Sequence, residues 1–463
     1  MTPDQLLDCL DPGQRAVAET AGLPVGVIAG AGTGKTRTVT HRLAYAALTG
    51  QLEPRATLAV TFTTAAATEV RQRLEALGVH GVQSRTFHAA CLRQAQYFWP
   101  QAYNSALPQI VENRQGLIGQ ACRWIGVPDT PAIIRDISQE ISWTKQTNVL
   151  PEEYVELARD SRRAVMRIGP DDVADAIVAY EQLKQAACVI DLDDLLLCTV
   201  ALLSNRSDIA RQVRNTYRHF VFDEFQDVSP VQDRLMELWV GDRDDVCVVG
   251  DPAQTIHSFA GARSTYLEGF VASHPGSIDL KLTRNYRSTP QIVQFAMDTG
   301  RPTVRLTPVR ASGQAVERAP SSDRLEESVD TVMWLKKLHR EGVAWDDMAV
   351  LFRTHAQAEA IRQILADEQV PFDYQANDHA PVQARVHVGT LHAAKGREWS
   401  VVALCGMDDT TMPYALARSP QQLAEERRLL YVGITRAEDR LRVSWPMTVD
   451  GRPTGPSRFL PPM

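Results

Sequence analysis

A glycine-rich segment near the start of the chain limits its fold more than any other feature. An apolar run at 25–29 is followed by glycines at 30, 32 and 34, then by Lys35, Thr36 and a helical pattern. Glycines at these spacings let backbone N–H groups turn inward around phosphate oxygens, and the N-terminus of the next helix adds its positive dipole. The strict motif begins with glycine, whereas Ala29 stands there. The order strand, loop, helix predicts a phosphate-binding loop.

Short β-branched runs recur along the chain, and each is followed by a glycine, a polar turn or an acidic tip. They lie at 25–30, 57–62, 219–224, 245–251, 348–353 and 400–406. Such runs, with helical segments between them, are typical of parallel strands that are buried on both faces. They predict an α/β fold.

The strand pattern stops between about Cys91 and Leu196 and becomes helical. There Val173, Ile177, Tyr180 and Ala187 are predicted to share one helix face. We interpret this stretch as a helical domain inserted into the first α/β domain. A second change, at 300–323, brings Pro, Arg and Ser with little periodicity, which predicts loop or edge structure.

The bulk composition sets limits but names no function. A chain of 463 residues suggests roughly two to four domains, and 44% hydrophobic with 23% charged residues is typical of a soluble globular protein. A net charge of −7 still leaves room for a local basic groove that holds nucleic acid. The 7 cysteines form no C-x-x-C pair, so we expect buried free thiols rather than a zinc site or disulfides.

No targeting or membrane segment is predicted. The first residues, MTPDQLLDCLDP, are acidic, and no stretch approaches the roughly 20 apolar residues of a membrane helix. We therefore expect a cytoplasmic protein without a membrane partner.

Two strand ends carry candidate catalytic side chains. Asp223 and Glu224 follow the run at 219–222, and a P-loop ATPase needs such carboxylates to hold magnesium through water and to polarise the attacking water. Gln254 follows another strand, where an amide could sense the γ-phosphate. Either feature alone is also typical of a solvated turn, so the interpretation depends on their combination.

The order of segments from near residue 10 to near residue 460 resembles the UvrD/Rep/PcrA group of superfamily 1 DNA helicases. The segments that carry the resemblance are LDPGQRAV (10–17), AGAGTGKTR (29–37), TFTTAAATEVRQR (61–73), RTFHAA (85–90), IDLDDLLL (190–197), DEFQD (223–227), VVGDPAQTIHSFAGA (248–262), LTRNYRS (282–288), VGTLHAAKGREWSVV (388–402), EERRLLYVGITRAEDRL (425–441) and PSRFL (456–460).

The resemblance implies a set of nucleotide-binding residues, with ATP and Mg²⁺ as cofactors. The groups that would contact ATP are Gln14 at the adenine, Gly30, Ala31, Gly32, Thr33, Gly34, Lys35, Thr36 and Arg37 at the phosphates, Tyr286 near the base and Glu398 at the ribose. Thr36 and Asp223 would hold the metal. The implied catalytic groups are Glu224, Gln254 and two arginine fingers, Arg287 and Arg436. A motor needs such charge-neutralising arginines on its second lobe, so that hydrolysis depends on closure of the two lobes.

The resemblance also implies contacts with single-stranded DNA. The candidates are Thr61, Phe62, Thr86, Phe87, His88, His257, Phe259, Thr390 and His392. The three phenylalanines could stack on unpaired bases, which is worth about 1–3 kcal/mol per base, but core packing is an equal alternative for Phe87.

The implied architecture has two RecA-like P-loop motor domains with parallel sheets. The first, 1A, would comprise 1–92 and 196–283, the helical insertion 1B would comprise 93–195, and the second motor domain, 2A, would comprise 284–463. Relatives insert a large accessory domain, 2B, before the segment at 388–402. Here only a linker near 374–387 stands at that position.

Two further departures concern the DNA contacts. Thr64 and Ala65 stand where the family usually has Asn-Lys, and His257 and Ala260 stand where it usually has Tyr and Arg. They affect the expected affinity for the strand more than the chemistry of ATP.

The first hypothesis is therefore an ATP-dependent helicase or translocase in DNA repair or replication. It would move 3′ to 5′ on single-stranded DNA or on a 3′-tailed duplex, with the direction taken from the resemblance, and a protein partner could replace the 2B domain. The second is a DNA-stimulated ATPase that remodels protein–DNA complexes without unwinding. The third, the motor of a helicase-nuclease, would need a nuclease domain after residue 460.

Overall fold

The structure, a computed structural model, describes residues 2–160, 163, 167–374 and 384–462. The chain divides into two compact units. The first contains Met1–Val27, Thr36–Gly250 and His257–Leu280, and the second contains Ile28–Lys35, Asp251–Ile256 and Lys281–Met463. The glycine-rich loop thus groups with the second unit.

Helices and strands alternate through most of the described chain. The helices are α1 (Pro3–Leu7), α2 (Pro12–Ala18), α3 (Lys35–Leu48), α4 (Thr64–Ala76), α5 (Phe87–Tyr103), α6 (Gln115–Ile125), α7 (Pro131–Thr147), α8 (Pro151–Asp160), α9 (Pro170–Ala186), α10 (Leu192–Asn205), α11 (Ser207–Thr216), α12 (Pro230–Val240), α13 (Thr265–Ser273), α14 (Pro290–Gly300), α15 (Arg324–Arg340), α16 (Ala358–Asp367) and α17 (Pro420–Ile434). The strands are β1 (Val25–Ala29), β2 (Thr57–Thr61), β3 (Gln83–Thr86), β4 (Gln109–Val111), β5 (Val189–Asp191), β6 (His219–Phe222), β7 (Val246–Gly250), β8 (Ile278–Leu282), β9 (Arg284–Asn285), β10 (Thr307–Pro308), β11 (Glu317–Ser321), β12 (Met348–Phe352), β13 (Phe372–Tyr374), β14 (Val386–Thr390), β15 (Trp399–Leu404), β16 (Ala437–Pro446), β17 (Thr448–Val449) and β18 (Arg452–Pro453).

Two six-stranded sheets organise the fold. The first has the order β3-β2-β6-β7-β1-β8, in which β3, β2, β6 and β7 pair in parallel. The second has the order β11-β16-β15-β12-β14-β13, and every neighbouring pair in it is parallel. All six runs predicted as strands form strands of these sheets, so the α/β prediction is confirmed.

The second sheet is buried on both faces. Along β12, Leu351 packs into a core with Leu404 and Val443, whereas its neighbour Val350 packs into another core with Val388. Because successive side chains of a strand point to opposite faces, the two cores lie on the two sides of the sheet. This accounts for the continuous apolar runs in the sequence.

The edge of the second sheet lies in the segment predicted as loop or edge structure. Within 300–323, β11 pairs with β16 at one end of the sheet. That prediction is confirmed.

The stretch between Cys91 and Leu196 is mostly helical and has its own core. Ile137, Tyr154 and Tyr180 are fully buried there. The prediction of one buried face on α9 holds for Val173, Ile177 and Tyr180, but is wrong for Ala187, which follows the last residue of α9 and is exposed. Two short strands, β4 and β5, pair in parallel within this helical stretch.

The cysteines are free thiols, as expected. Four of them are buried: Cys91, Cys122, Cys247 and Cys405. The expectation of burial is wrong for Cys9 and Cys188, which are exposed. No helix among the described residues is long and apolar enough to cross a membrane. Most of the predicted linker near 374–387 lies outside the described residues, which end at 374 and resume at 384.

Candidate nucleotide and DNA site

The glycine-rich loop connects β1 to α3. Gly32 and Gly34 have φ values of +68° and +77°, a region that residues with a Cβ rarely adopt. The Thr33 hydroxyl donates to the Gly30 carbonyl at 2.8 Å, and Lys35 Nζ donates to the Ala29 carbonyl at 3.3 Å. The loop therefore has the backbone conformation that glycine spacing predicts, with its lysine folded back along it.

A second segment of the same unit fastens this loop. Asn285 Nδ2 donates to the Ala31 carbonyl at 2.8 Å, and the Tyr286 N–H donates to the Gly32 carbonyl at 2.8 Å. A Cβ on Gly32 would lie 2.6 Å from Asn285 Nδ2 and 2.8 Å from Arg287 Cβ. Gly32 is thus required for its backbone angle and also for this close approach.

Arg287 belongs to the segment that fastens the loop. Its guanidinium donates to the Thr435 carbonyl at 3.2 Å and forms an ion pair with Glu398. The family resemblance implied a ribose contact for Glu398 and a γ-phosphate contact for Arg287. The structure brings these two side chains together.

Arg436 and Gln254 also meet within the second unit. Arg436 is 2% exposed, and its guanidinium donates to Gln254 Oε1 at 3.2 Å and to the carbonyls of Val432 and Arg397. Gln254 Nε2 donates to Asp251 Oδ2 at 2.7 Å. A buried guanidinium held by several acceptors has a fixed direction, which suits recognition of a developing charge.

Tyr431 was not singled out from the sequence. Its side chain is fully buried, and its hydroxyl lies beside the backbone of Ala31 in the glycine-rich loop. Burial raises the pKa of Tyr431, and the nearby Asp251 carboxylate acts in the same direction. A Cβ on Gly300 would lie 2.5 Å from the ring, so that glycine allows the tyrosine to pack closely.

The candidate catalytic carboxylates lie in the first unit, at the carboxyl end of β6. Glu224 has a φ of +54°, a rare conformation for a residue other than glycine, and its N–H donates to Asp223 Oδ1 at 2.9 Å. Gln226 Nε2 donates to Glu224 Oε2 at 2.6 Å. Strained backbone of this kind persists only where neighbouring contacts enforce it, and it is concentrated at functional sites.

Gln226 is a second residue that the sequence did not single out. It is completely buried, and a Cβ on Gly250 would lie 2.4 Å from its side-chain oxygen. The end of β7 therefore leaves space for the amide that orients Glu224.

The remaining predicted nucleotide contacts of the first unit are partly engaged in local structure. Thr36 lies half-buried in the first turn of α3, and the Arg37 guanidinium donates to the Cys9 carbonyl at 2.7 Å. Gln14 is 2% exposed and forms a capping box with Asp11 at the start of α2. Its predicted contact with adenine stays a prediction.

The predicted DNA contacts at the ends of β2 and β3 lie side by side. Thr61 and Thr86 are paired in register, and the rings of Phe62 and Phe87 follow them at 5.9 Å between centroids. Phe87 is 2% exposed and stacks on Phe222 and Trp239, so it occupies the core position that the sequence left open. His88 is half-buried, and burial lowers its pKa.

The other predicted DNA contacts lie on two loops. Phe259 is 47% exposed and packs edge-on against His257 in the first unit. In the second unit, Thr390 ends β14 and His392 follows it, half-buried. Of the predicted aromatic contacts, Phe259 presents the most surface for stacking.

The glycine-rich loop joins a strand, β1, to a helix, α3, and an acidic pair follows β6, another strand of the same sheet. A strand, glycine loop and helix, with an acidic strand end in the same sheet, define the class of P-loop nucleotide-binding proteins.

The chain belongs to the UvrD-like helicase family. The profile of the UvrD/REP helicase N-terminal domain matches residues 10–275, and that of the UvrD-like helicase C-terminal domain matches residues 280–378 and 373–448. This confirms the resemblance of the sequence motifs.

Curated relatives cover most of the chain. The ATP-dependent DNA helicase UvrD2 of Mycobacterium tuberculosis (strain H37Rv) is 33% identical over 574 aligned positions, covering 99% of this chain and 82% of the relative. The ATP-dependent DNA helicase UvrD1 of the same strain is 31% identical, covering 80% of this chain and 50% of the relative. The UvrD1 helicase of Mycobacterium leprae (strain TN) is 29% identical over a similar share.

Proposed function

We propose that this chain is an ATPase that moves 3′ to 5′ along single-stranded DNA and is stimulated by it. The observation that carries the proposal lies in the second unit. There the segment bearing Arg287 is bonded to the carbonyls of Ala31 and Gly32, so a candidate arginine finger is structurally tied to the phosphate loop. A change in the loop on nucleotide binding would therefore move that arginine.

The nucleotide site would work through three sets of groups. The backbone N–H groups of 30–36 and the Lys35 ammonium would bind phosphate oxygens. Glu224, oriented by Gln226, would accept a proton from the attacking water. Arg287 and Arg436 would stabilise the charge that develops on the transferred phosphoryl group.

The residues at the metal position fit Mg²⁺. The Thr36 hydroxyl and the Asp223 carboxylate supply the hard oxygen ligands that this ion prefers. When bound, the ion neutralises phosphate charge and orients the γ-phosphoryl group. Asp223 is 7% exposed, and the Glu224 N–H holds one of its oxygens, so the carboxylate has little freedom to rotate.

Single-stranded DNA would contact the ends of β2 and β3 and the loop at 257–261. The exposed Phe259 ring supports stacking on a base, and Thr61 and Thr86 lie at adjacent strand ends, where hydroxyls suit phosphate contacts.

We further propose that the chain alone separates the strands of duplex DNA only weakly. The family profile for the C-terminal domain matches in two stretches that meet at 373–378, and the alignment with UvrD2 is longer than the 463 residues of this chain. The position of the break between the two stretches supports the absence of a 2B-like insertion near 374–387, and the longer alignment supports additional segments in UvrD2. We infer that a protein partner supplies the missing grip on duplex DNA. The same observations favour the second candidate, an ATPase that remodels protein–DNA complexes without unwinding.

The test is steady-state ATP hydrolysis with and without a single-stranded oligonucleotide at low salt. We expect strong stimulation that weakens as salt rises. The reason is that DNA binding releases counterions, so the logarithm of the binding constant falls linearly with the logarithm of the salt concentration. Equal turnover with and without DNA at low salt would contradict the proposal.

Variants of the two candidate arginine fingers test their role in this stimulation. Arg287→Ala and Arg436→Ala should each abolish stimulation while MgATP binding, followed with a fluorescent nucleotide, stays close to wild type. Arg15→Ala removes only an exposed ion pair with Glu19 and should behave as wild type.

A further inference from the structure

Gln146 lies where three parts of the first unit meet, and its buried side chain joins two of them. It lies in the last turn of α7 and is 9% exposed. Its Oε1 accepts from the Ser229 hydroxyl at 2.8 Å, and its Nε2 donates to Asp193 Oδ1 at 2.9 Å. Both ends of the amide are therefore engaged, so its position depends on both partners.

The Ser229 end of this link leads to the catalytic loop. The loop begins at Glu224, whose carbonyl accepts from the Asp227 N–H at 2.9 Å, and it ends at Ser229, which caps α12. Because the Glu224 backbone is strained, its side-chain direction depends on how the rest of the loop is held. A hydrogen bond to Ser229 is a means of holding it.

The Asp193 end leads into the helical insertion. Asp193 Oδ2 accepts from Arg114 Nη1 at 2.9 Å and from the Ser142 hydroxyl at 2.8 Å. These contacts tie the start of α10 to α7 and to the residue before α6. Movement of the insertion helices would therefore displace the Gln146 amide.

The third part is the loop at 257–261, which carries Phe259. A Cβ on Gly261 would lie 3.0 Å from Thr147 Cγ2 and 3.3 Å from Gln146 Cβ, so the loop packs on the end of α7. The Phe259 carbonyl accepts from Arg163 Nη2 at 3.0 Å. That guanidinium also binds Glu140 on α7 and lies 4.1 Å over the Trp143 ring. The loop is thus fastened to α7 at two places.

We propose that Gln146 is a positioning residue that couples strand binding at the 257–261 loop and the helical insertion to the orientation of Glu224. This inference rests on the proposed DNA-stimulated ATPase. Coupling of this kind needs an element that contacts both sites and has a defined geometry, and α7 with its terminal amide meets that requirement.

The test is Gln146→Leu, which removes both hydrogen bonds at similar volume. The fold-stimulation by single-stranded DNA should fall roughly tenfold, in the range typical of coupling between two sites, whereas turnover without DNA should fall by a smaller factor. DNA affinity, measured by fluorescence anisotropy, should change little. Gln139→Leu makes the same substitution at an exposed position of α7 and should retain wild-type stimulation.

Ser229 provides an independent approach from the other side. Ser229→Ala should also lower stimulation, and the double variant should be no worse than Gln146→Leu alone, since Ser229→Ala removes one of the two hydrogen bonds that Gln146→Leu already removes. Ser229→Thr keeps the hydroxyl and should restore stimulation. If Gln146→Leu does not fold, the comparison of Ser229→Ala with Ser229→Thr decides the question.

The outcomes separate the two proposals. Wild-type stimulation in Gln146→Leu, or additive losses in the double variant, would overturn the role of Gln146. Wild-type turnover that ignores DNA would remove the proposed function instead. Hydrogen exchange at 224–229 without DNA would then still test the link, because loss of the Gln146 bond should speed exchange there, and unchanged exchange would overturn it.

Discussion

Glu224 is the residue on which the proposed chemistry depends most. Its backbone is left-handed, its carboxylate accepts from Gln226, and Gln226 fits under β7 because residue 250 is glycine. The carboxylate is therefore oriented by buried groups of the protein itself, as electrostatic preorganisation requires.

We predict that Glu224→Gln binds MgATP but loses at least ~100-fold in DNA-stimulated turnover, since a positioned general base typically contributes that much. Steady-state ATP hydrolysis and nucleotide-binding titrations measure the two effects separately.

The matched control is Glu237→Gln, the same substitution at an exposed ion pair on α12. It should leave both quantities unchanged. Near-normal turnover in Glu224→Gln would remove that residue from its catalytic role.

The sequence could predict the candidate site only in part. Lys35, Thr36, Asp223 and Glu224 are recognisable because they stand beside strand ends and glycines that are local in sequence. Asn285 could not be recognised, because its role is defined by the Ala31 carbonyl, which lies far away in the chain.

At the scale of elements, the helical insertion is held together by a buried charged network. Lys145 Nζ donates to Asp191 at 2.7 Å and to Asp194 at 2.6 Å, and Lys184 pairs with Glu181 at 2.8 Å. The carboxylates of Glu181, Asp191 and Asp194 come close enough to hold a metal ion, but the ammonium groups of Lys145 and Lys184 already pair with all three. We interpret the cluster as structural.

We predict that Asp191→Asn lowers the local stability of the insertion by about 3–5 kcal/mol at pH 7, the usual cost of breaking a buried ion pair. Asparagine can still cap α10, which Asp191 caps by accepting from the Asp194 N–H, so the loss reports the charge. Hydrogen exchange of α7, α9 and α10 measures it.

The effect of pH on this network follows from Asp191. Burial alone would raise the pKa of Asp191, but the ammonium groups of Lys145 and Lys184 hold it well below its usual range. A lowered carboxyl pKa gives stability that is present above about pH 4 and is lost as pH falls through the folded-state value. The difference between Asp191→Asn and wild type should therefore shrink only below about pH 4.

Glu19→Gln serves as the control, because its ion pair with Arg15 is exposed and is worth at most about 1 kcal/mol. A difference for Asp191→Asn that stays constant down to pH 2 would contradict the charge account.

The strands differ in how far the sequence could predict them. β12 and β15 are continuous apolar runs because both faces of the sheet are covered. β3 is polar and half-buried at the edge of its sheet, and in β16 the first residue, Ala437, is followed by three charged residues. In β16 the buried Arg442 is compensated by Glu317 of β11, a partner that no local pattern indicates.

For the whole molecule, the chain divides into two compact units, and the proposed motor needs two parts that alternate in their grip on a strand. The family match extends over both, with the N-terminal profile at 10–275 and the C-terminal profile from 280 onward. The expected domain boundaries and the absence of 2B stay proposals.

The central claim is ATP-driven 3′-to-5′ movement on single-stranded DNA with weak strand separation by the chain alone. The measurement is dye-reported translocation on single strands labelled at either end, beside unwinding of a 3′-tailed duplex under identical conditions. Unwinding a duplex of about 20 base pairs costs on the order of 1.4 kcal/mol per step, and a motor without an accessory grip must meet that cost at the junction. We predict that the delay before the motor reaches the dye increases with strand length only when the dye is at the 5′ end. We also predict little unwinding of the duplex. A length-independent signal at both ends would contradict translocation, and efficient unwinding by the purified chain would contradict the proposed need for a partner.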